Sequence, residues 1–317
     1  MEMEKVLQEM RKAVYGKDKI LREIMMAICA GGHVVMEDKP GVGKTTIAKT
    51  IAKVTGLSSK RIQFTSDVMP SDVTGYMTYN KTRNVEEFVP GPIFNTNILL
   101  VDEINRASAK CQAALLEVMQ EKQATVNAVT RQVEDPFIVL ATMNPYISPI
   151  YGVNVLPQSE LDRFMLALSV GYPEEADEIA LLRSRDRRDP LEEITQVTNK
   201  EEILQAREEI NEVYVDNVIY NYVLALTKQT RNNPDIEIGI SPRGELVMLK
   251  MAKANAYFKG RNYVVPEDVA DIFIDCSIHR ISMVSQELTI ISEARKRLLK
   301  EILKKIPQPS ILRKGGR

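Results

Sequence analysis

One segment near the amino terminus, Glu37-Asp38-Lys39-Pro40-Gly41-Val42-Gly43-Lys44-Thr45, constrains the fold of this chain more than any other. It follows the apolar run at residues 33–36 and opens a helix-forming stretch at residues 46–54. A strand, a tight loop and a helix start in this order predict a phosphate-binding loop. In such a loop, a row of backbone N–H groups and the helix N-terminus together face phosphate oxygens.

The residue types inside this loop agree with phosphate chemistry. Gly41 and Gly43 allow the backbone to approach a ligand closely. Lys44 would neutralise the β- and γ-phosphates as a point charge, and the Thr45 hydroxyl would hold Mg²⁺. Asp38 is the exception, because it stands where this motif usually begins with glycine. Aspartate tolerates a left-handed backbone, so we expect the turn to persist, but a carboxylate close to phosphates would repel them.

A second segment, Ile98-Leu99-Leu100-Val101-Asp102-Glu103, supplies the other half of a nucleotide site. An apolar run that ends in two carboxylates is typical of a buried parallel strand, which delivers them to the carboxyl edge of a sheet. Asp102 would bind Mg²⁺, directly or through water, and Glu103 would polarise the attacking water. The two segments together predict nucleotide hydrolysis. The alternative is a core strand with a solvated acidic end.

The chain has 317 residues, enough for about two domains, and its 44% hydrophobic and 27% charged residues are ordinary globular values. No apolar run approaches the roughly 18 residues of a membrane span, and the first residues lack signal-peptide features. We therefore expect a cytoplasmic protein without membrane insertion. Cys29, Cys111 and Cys276 are scattered and odd in number, which favours reduced thiols over disulfides or a zinc site. The two histidines, His33 and His279, are expected to be structural or surface residues.

The formal net charge of −1 hides an asymmetry along the chain. Residues 295–317 contain nine Lys and Arg and a single acidic residue, Glu301, which gives this end a net charge of +8. Such a tail can bind an acidic partner or nucleic acid. We favour the alternative of a solvated helix face with a frayed end, because no aromatic residues alternate with the charges as single-strand binding requires.

Strands and helices alternate in the first part of the chain, which predicts a parallel sheet covered by helices on both faces. The strands are expected at residues 33–36, 61–64, 98–101, 137–141 and 165–170. The helices are expected at residues 4–13, 17–30, 44–55 and 108–122. Two further stretches, residues 75–89 and 124–131, have the pattern of β-hairpins. For the second hairpin we expect a loop longer than a tight turn, because Ala128 is unfavourable at positive φ.

From Pro173 onward no strand is predicted and the pattern is helical. Helices are expected to begin after Asn199, Asp216 and Ser241, at Pro266, and near Glu293. The helix after Ser241 should bury a stripe of Leu246, Leu249, Ala252 and Ala256, and the last helix should bury Ile291, Leu298 and Ile302. We therefore divide the chain into an α/β domain at residues 1–172 and a helical domain at residues 173–317.

Two more positions are candidates for contact with a nucleotide. The turn Val14-Tyr15-Gly16 precedes the first strand and could pack on an adenine base. Asn144 follows the fourth strand, whose carboxyl end should lie beside that of the acidic strand. Its amide can orient the hydrolytic water or contact the γ-phosphate.

Several short runs, in their order along almost the whole chain, resemble the MoxR family of AAA+ ATPases. They are Gly31-Gly32-His33, residues 40–45, Gly91-Pro92-Ile93-Phe94, Asp102-Glu103-Ile104-Asn105-Arg106-Ala107, Ala113-Ala114-Leu115-Leu116-Glu117, Leu161-Asp162-Arg163-Phe164 and Ser241-Pro242-Arg243. The resemblance implies an αβα P-loop NTPase core with a five-stranded parallel sheet and two β-hairpin inserts, followed by an all-helical lid. It also implies self-association into a ring, usually a hexamer, with nucleotide at the subunit junctions.

The resemblance assigns roles that spacing alone does not. Asn144 matches the sensor 1 position, and Arg243 matches the sensor 2 arginine of the lid. Arg163 is similar to the arginine finger, which reaches into the site of the neighbouring subunit and stabilises charge on the transferred phosphate. The alternative for Arg163 is an ion pair with Asp162 in the same chain. The two hairpins correspond to the helix-2 insert and the pre-sensor-1 insert, which project towards the pore or a client.

The expected site residues follow from the two segments and the resemblance. The catalytic residues would be Lys44, Glu103, Asn144, Arg163 and Arg243. ATP or ADP would be held by Gly16, Pro40, Gly41, Val42, Gly43, Lys44, Thr45, Thr46, Asp102, Asn144 and Arg243. Thr45 and Asp102 would hold Mg²⁺.

The resemblance implies an ATPase that couples hydrolysis of ATP to chaperone-like remodelling or maturation of a client protein. Family members often act with a von Willebrand factor A domain partner. A second hypothesis is a nucleic-acid-dependent motor or loader, but the near-neutral charge and the lack of a basic stripe outside the tail weigh against it. A third hypothesis is a slow nucleotide-dependent switch in which Asp38 weakens turnover.

Overall fold

The computed structural model describes residues 1–39, 41–145, 156–185, 189–285 and 289–310. Pro40 and residues 311–317 of the basic tail, which the sequence analysis singled out, lie outside the described residues. The helices before residue 172 are α1 (Met3–Met10), α2 (Asp18–Cys29), α3 (Lys44–Thr55), α4 (Pro70–Thr74), α5 (Ala109–Glu121) and α6 (Gln158–Leu161). The strands of this part are β1 (Val34–Glu37), β2 (Ser59–Gln63), β3 (Gly75–Asn80), β4 (Val85–Pro90), β5 (Ile98–Asp102), β6 (Gln123–Val126), β7 (Val129–Gln132), β8 (Ile138–Met143) and β9 (Leu166–Leu168).

Five of these strands form one parallel sheet in the order β2-β5-β8-β1-β9, which confirms the predicted fold class. Every residue of β1, β5 and β8 is buried, whereas β2 is an exposed edge strand. Central parallel strands are apolar throughout because both of their faces are covered. The strands run the same way, so β1, β5 and β8 end together at one edge of the sheet, here called the carboxyl edge. The opposite edge is the amino edge.

Both predicted hairpins are present as antiparallel pairs, β3 with β4 and β6 with β7. The prediction of a long loop in the second hairpin is wrong. Two residues, Asn127 and Ala128, join β6 to β7 with φ values of 50° and 60°. Two consecutive left-handed residues form the tight hairpin turn whose twist matches that of the flanking strands. The closure of the hairpin therefore outweighs the unfavourable backbone conformation of alanine.

The part after residue 172 is mainly helical, as predicted. Its helices are α7 (Glu175–Arg185), α8 (Lys200–Glu212), α9 (Asn217–Arg231), α10 (Pro242–Phe258), α11 (Pro266–Ser277) and α12 (Glu293–Lys305). The predicted caps Asn199, Asp216 and Ser241 each accept a hydrogen bond from the first turn of the helix that follows. No helix among the described residues combines the length and the apolar character that crossing a bilayer demands.

Three details of this helical part differ from the prediction. Two short strands, β10 (Ile236–Ile238) and β11 (Ser282–Met283), pair antiparallel, and they are too short to show alternation in the sequence. Ala252 and Ala256 are buried as predicted and Leu249 is partly buried, but Leu246 is 69% exposed, because Met248 and Met251 complete the buried stripe of α10. Leu298 and Ile302 of α12 are buried as predicted, while Ile291 is only partly buried.

Both histidines are structural, as predicted. The Nδ1 atom of His33 accepts a hydrogen bond from the backbone N–H of Val139 at 3.0 Å, and its Nε2 lies 3.0 Å from the carbonyl oxygen of Met119. His279 Nε2 lies 3.0 Å from the carbonyl oxygen of Phe164. Burial lowers the pKa of His33 to about 3, so its ring stays neutral and tethers β8 to the core.

The Asn127-Ala128 turn makes a prediction that can be measured directly. Replacing Ala128 with glycine should raise the free energy of unfolding by about 0.5–1 kcal/mol, because glycine adopts positive φ without a steric penalty. The same substitution at Ala113, an exposed position inside α5, should lower it by about 1 kcal/mol. Urea unfolding of both variants measures the difference. A loss of stability at both positions would mean that the turn does not hold Ala128 in the left-handed region.

Candidate active site

The phosphate-binding loop connects the end of β1 to the start of α3 at the carboxyl edge. Gly41 and Gly43 have φ values of 89° and 94°, a region that favours glycine. A Cβ added to either glycine would meet no atom within 4 Å, so the loop faces open space there. Gly43 directly precedes Lys44, the first residue of the 12-residue helix α3. The first turn of α3 therefore directs its N–H groups and its positive potential into that space.

Lys44 joins this loop to the end of β8. Its Nζ donates to the carbonyl oxygen of Asp38 at 2.7 Å and to that of Met143 at 3.3 Å. The Oδ1 atom of Asn144 lies 3.5 Å from the same Nζ. Burial lowers the pKa of Lys44, against the opposite effect of the carboxylates of Asp38 and Asp102 nearby. Lys44 of the phosphate-binding loop therefore lies beside Met143 and Asn144, at the carboxyl end of β8, the strand that neighbours β5.

Asp102, the last residue of β5, is 7% exposed. Its Oδ2 accepts a hydrogen bond from Nε of Arg61 at 2.6 Å, and its Oδ1 accepts one from Oγ1 of Thr142 at 3.1 Å. Thr45, at the start of α3, lines the same cavity as Asp102. A hydroxyl and a carboxylate are the hard oxygen donors that Mg²⁺ prefers, so the two predicted ligands fit this ion chemically.

Glu103 has a left-handed backbone, with a φ of 56° and a ψ of 48°. Non-glycine residues rarely adopt this conformation, and when they do they often belong to functional sites. The Nδ2 of Asn144 donates to Oε1 of Glu103 at 3.0 Å, and Nε of Arg106 lies 2.8 Å from Oε2. The Thr142 hydroxyl accepts a hydrogen bond from the backbone N–H of Glu103 at 3.1 Å. The carboxylate is therefore held between an amide and a guanidinium.

Three residues of this site were missed from the sequence. Arg61, Arg106 and Thr142 each contact one of the two carboxylates described above. Thr142 could have been found, because it lies one residue beyond the position that pairs with Val101 in the sheet. No sequence signal identified Arg61 on its exposed strand. Arg106 lies in the run at residues 102–107 that resembles the MoxR family, but the resemblance assigned no role to it.

A cavity of about 490 Å³ lies beside the phosphate-binding loop. Its volume lies within the range of small-molecule sites. The predicted residues that line it are Gly41, Val42, Gly43, Lys44, Thr45, Thr46 and Asp102. Its other lining, here called the apolar end, includes Val14, Tyr15, Tyr172, Pro173 and Leu182, together with the charged residues Lys17 and Glu178. Apolar side chains beside a phosphate-binding loop suit a purine nucleotide.

Gly16 has a different place from the one predicted. Its neighbours in the turn line the cavity, but Gly16 does not, and a Cβ there would overlap the carboxylate of Asp177 in α7. Its φ of 64° shows that this position serves the turn itself. Gly16 therefore allows the close approach of α7.

Arg163 and Arg243 lie away from this cavity. Arg163 is half-buried just before β9, and its Nε donates to Oε1 of Gln120 at 3.2 Å. Asp162 is bonded elsewhere, to Oγ of Ser241 at 2.8 Å and to Nε of Arg280 at 2.9 Å. Arg243 is exposed in the first turn of α10, two residues after Ser241. Both arginines therefore belong to the region around Asp162.

This region lies at the amino edge of the sheet. β9 pairs in parallel with β1, and Asp162 and Arg163 precede β9 whereas the phosphate-binding loop follows β1. At about 3.3 Å per residue, β1 alone separates the two edges by roughly 13 Å. The structure thus brings together the loop, Asp102, Glu103 and Asn144, and it does not bring Arg163 or Arg243 to them within one chain.

The fold and this site define a P-loop ATPase of the AAA class with a lid. Residues 33–166 match the family described as the ATPase family associated with various cellular activities (AAA), and residues 228–301 match the AAA lid domain. The crystal structure of a protein from Cytophaga hutchinsonii assigned as an ATPase superposes with a TM-score of 0.87 and 34% identity, covering 98% of this chain and 95% of that one.

Named relatives identify the branch of this class. The chain is 33% identical to Chaperone MoxR1 of Mycobacterium tuberculosis, over 90% of this chain and 77% of that protein. It is 30% identical to Protein MoxR of Methylorubrum extorquens, over 86% of this chain and 85% of that protein. It is also 38% identical to the uncharacterised protein YeaC of Bacillus subtilis, over 96% and 94%. The chain belongs to the MoxR family of AAA+ ATPases.

Proposed function

We propose that this chain hydrolyses ATP to ADP and phosphate and uses the energy for chaperone-like remodelling or maturation of a client protein. The observation that supports hydrolysis most strongly is the meeting of Lys44, Asp102, Glu103 and Asn144 at one edge of the sheet. In this proposal Lys44 binds the triphosphate, and Asp102, Glu103 and Asn144 serve its cleavage.

In the proposed reaction, the loop N–H groups and Lys44 hold the phosphates, and the apolar end of the cavity holds the adenine. Mg²⁺, held by Thr45 and Asp102, would neutralise charge on the phosphates. Glu103 would take a proton from the attacking water as that water forms a bond to the γ-phosphorus and the bond from this phosphorus to the β–γ bridging oxygen breaks, which releases ADP. Asn144 donates to Glu103 and thereby orients its carboxylate. Arg106 must withdraw from Oε2 if that oxygen is to contact the water.

The place of Arg163 and Arg243 supports a role between subunits. Neither arginine can reach the loop of its own chain, but both can face the nucleotide of a neighbour in a ring. AAA+ membership supports ring assembly, and we propose a hexamer with nucleotide at the subunit junctions. An arginine supplied by the neighbour would stabilise the charge that spreads over the γ-phosphate oxygens.

The remaining parts of the proposal concern partners and place. The β3–β4 hairpin exposes Tyr76 and Tyr79, at 50% and 55%, which suits contact with a protein client. A von Willebrand factor A domain partner and a cytoplasmic location rest on the family resemblance alone. We also propose that the boundary between core and lid lies near residue 172, where the chain leaves β9 for α7.

Replacing Glu103 with glutamine tests the catalytic role. Glutamine keeps the size of the side chain but cannot take a proton from water, so turnover should fall by about 100-fold or more while ATP binding is retained. Phosphate release and equilibrium binding of ATP measure the two quantities separately. Glu117→Gln, an exposed position on α5, is the matched control. Hydrolysis near the wild-type rate in Glu103→Gln would remove Glu103 from the mechanism.

A mixing experiment tests whether Arg163 acts between subunits. Arg163→Ala and Lys44→Ala should each be inactive alone, but an equal mixture should recover up to roughly a quarter of wild-type activity, because some junctions pair an intact loop with an intact arginine. Mixing Lys44→Ala with the double variant Lys44→Ala/Arg163→Ala is the control and should recover nothing. Absence of recovery in the first mixture, in rings of normal size, would contradict an intersubunit role.

A further inference from the structure

Asp38, the residue that departs from the usual loop pattern, directs its carboxylate away from the loop. Its Oδ2 accepts hydrogen bonds from Oγ of Ser169 at 3.0 Å and from the backbone N–H of Gly171 at 2.5 Å. Its Oδ1 accepts one from the backbone N–H of Lys39 at 2.7 Å. Asp38 is not among the residues with positive φ, so this position does not require glycine. Both carboxylate oxygens are thus engaged with neighbours in the chain.

The segment that Asp38 binds leads directly into the wall of the cavity. Ser169 and Gly171 follow β9, and the next residues, Tyr172 and Pro173, line the cavity. Two lysines hold Tyr172 as well. Lys17 Nζ donates to its carbonyl oxygen at 2.9 Å, and Lys39 Nζ lies 5.6 Å from the centre of its ring. These contacts hold Tyr172, which is 66% exposed, beside the loop.

The same residue touches the phosphate end through its main chain. The carbonyl oxygen of Asp38 accepts the hydrogen bond from Lys44. One residue thus contacts the phosphate-binding lysine through its backbone and, through its side chain, the segment that leads into the Tyr172–Pro173 wall. A glycine at this position would keep the first contact and lose the second.

We propose that Asp38 is a positioning residue that fixes the Tyr172–Pro173 wall of the cavity against the phosphate-binding loop, so that affinity for the nucleoside part of the ligand depends on it. This inference rests on the proposed function, because it takes ATP as the ligand of the cavity. It differs from the expectation of repulsion, under which glycine at position 38 would strengthen binding.

Two ligands separate these mechanisms: Mg·ATP, which has a nucleoside, and inorganic Mg·tripolyphosphate, which has none. In Asp38→Gly, the Kd for ATP should rise about 3- to 10-fold, because the two hydrogen bonds from Ser169 and Gly171 to a charged acceptor are lost. The Kd for tripolyphosphate should stay within about twofold of the wild-type value. Isothermal titration of the full-length protein measures both constants.

Ser169→Ala tests the same contact from its other end without altering the loop. It should raise the Kd for ATP in the same direction by a smaller factor, and combining it with Asp38→Gly should add nothing further. Ser59→Ala, at the exposed amino end of β2, is the control and should leave both constants unchanged.

Three results would overturn the inference. Tighter binding of both ligands by Asp38→Gly would show that the carboxylate repels phosphates. Equal weakening of both ligands would show that Asp38 only shapes the loop. Unchanged ATP binding in both Asp38→Gly and Ser169→Ala would show that the contact has no effect on the wall. Failure of the wild-type protein to bind ATP would instead reject the proposed function itself.

Discussion

The partly buried ammonium group of Lys44 is the constraint on which the rest of the site depends. Its described partners are the carbonyl oxygens of Asp38 and Met143, with the amide oxygen of Asn144 at the limit of contact. Among the described residues, the nearby carboxylates of Asp102 and Glu103 pair with Arg61 and Arg106, and that of Asp38 accepts hydrogen bonds from Ser169, Gly171 and Lys39. Lys44 therefore has dipoles around it and no paired negative charge. A buried charge in such surroundings is stabilised by an anionic ligand, which a triphosphate supplies.

The residues before the loop connect this charge to the lid. Glu37, the last residue of β1, is buried and accepts hydrogen bonds from the backbone N–H groups of Ile290 and Ile291 at 3.1 and 2.6 Å. These two residues lead into α12, while the segment bonded to Asp38 leads into α7. The carboxylates of Glu37 and Asp38 therefore connect the loop to two segments that lead into the helical part. One segment leads into α12 and the other leads into α7. A displacement of the loop on nucleotide binding would reach the lid through these contacts.

The sequence was sufficient wherever function depends on a short run of residues in a fixed order. The loop from Gly41 to Thr46, the acidic end of β5 and Asn144 lie where strand and helix patterns placed them, because parallel strands must end at one edge. What the sequence could not supply are contacts between distant residues. The pairing of Arg61 with Asp102 depends on sheet register, and the place of Gly16 depends on how α7 packs.

Other differences arose where two local preferences compete. Ala128 disfavours positive φ, but strand twist favours a two-residue turn, and the turn prevails. Leu246 is apolar but lies outside the buried face of α10. Methionine and alanine residues form most of that face. Asp38 shows the same limit at the site. Its residue type suggested repulsion of phosphates, and only the position of its carboxylate revealed the bond to Ser169 and Gly171.

We infer that Lys44 and Asp102 act on one magnesium-bound triphosphate. A crystal structure of the protein with Mg²⁺ and a non-hydrolysable ATP analogue would test this inference. We expect a β- or γ-phosphate oxygen about 3 Å from Nζ of Lys44, with the Asp102 carboxylate bound to the metal directly or through one water. An analogue bound elsewhere, or a metal that has no contact with Asp102 or its water, would show that the two residues do not act together.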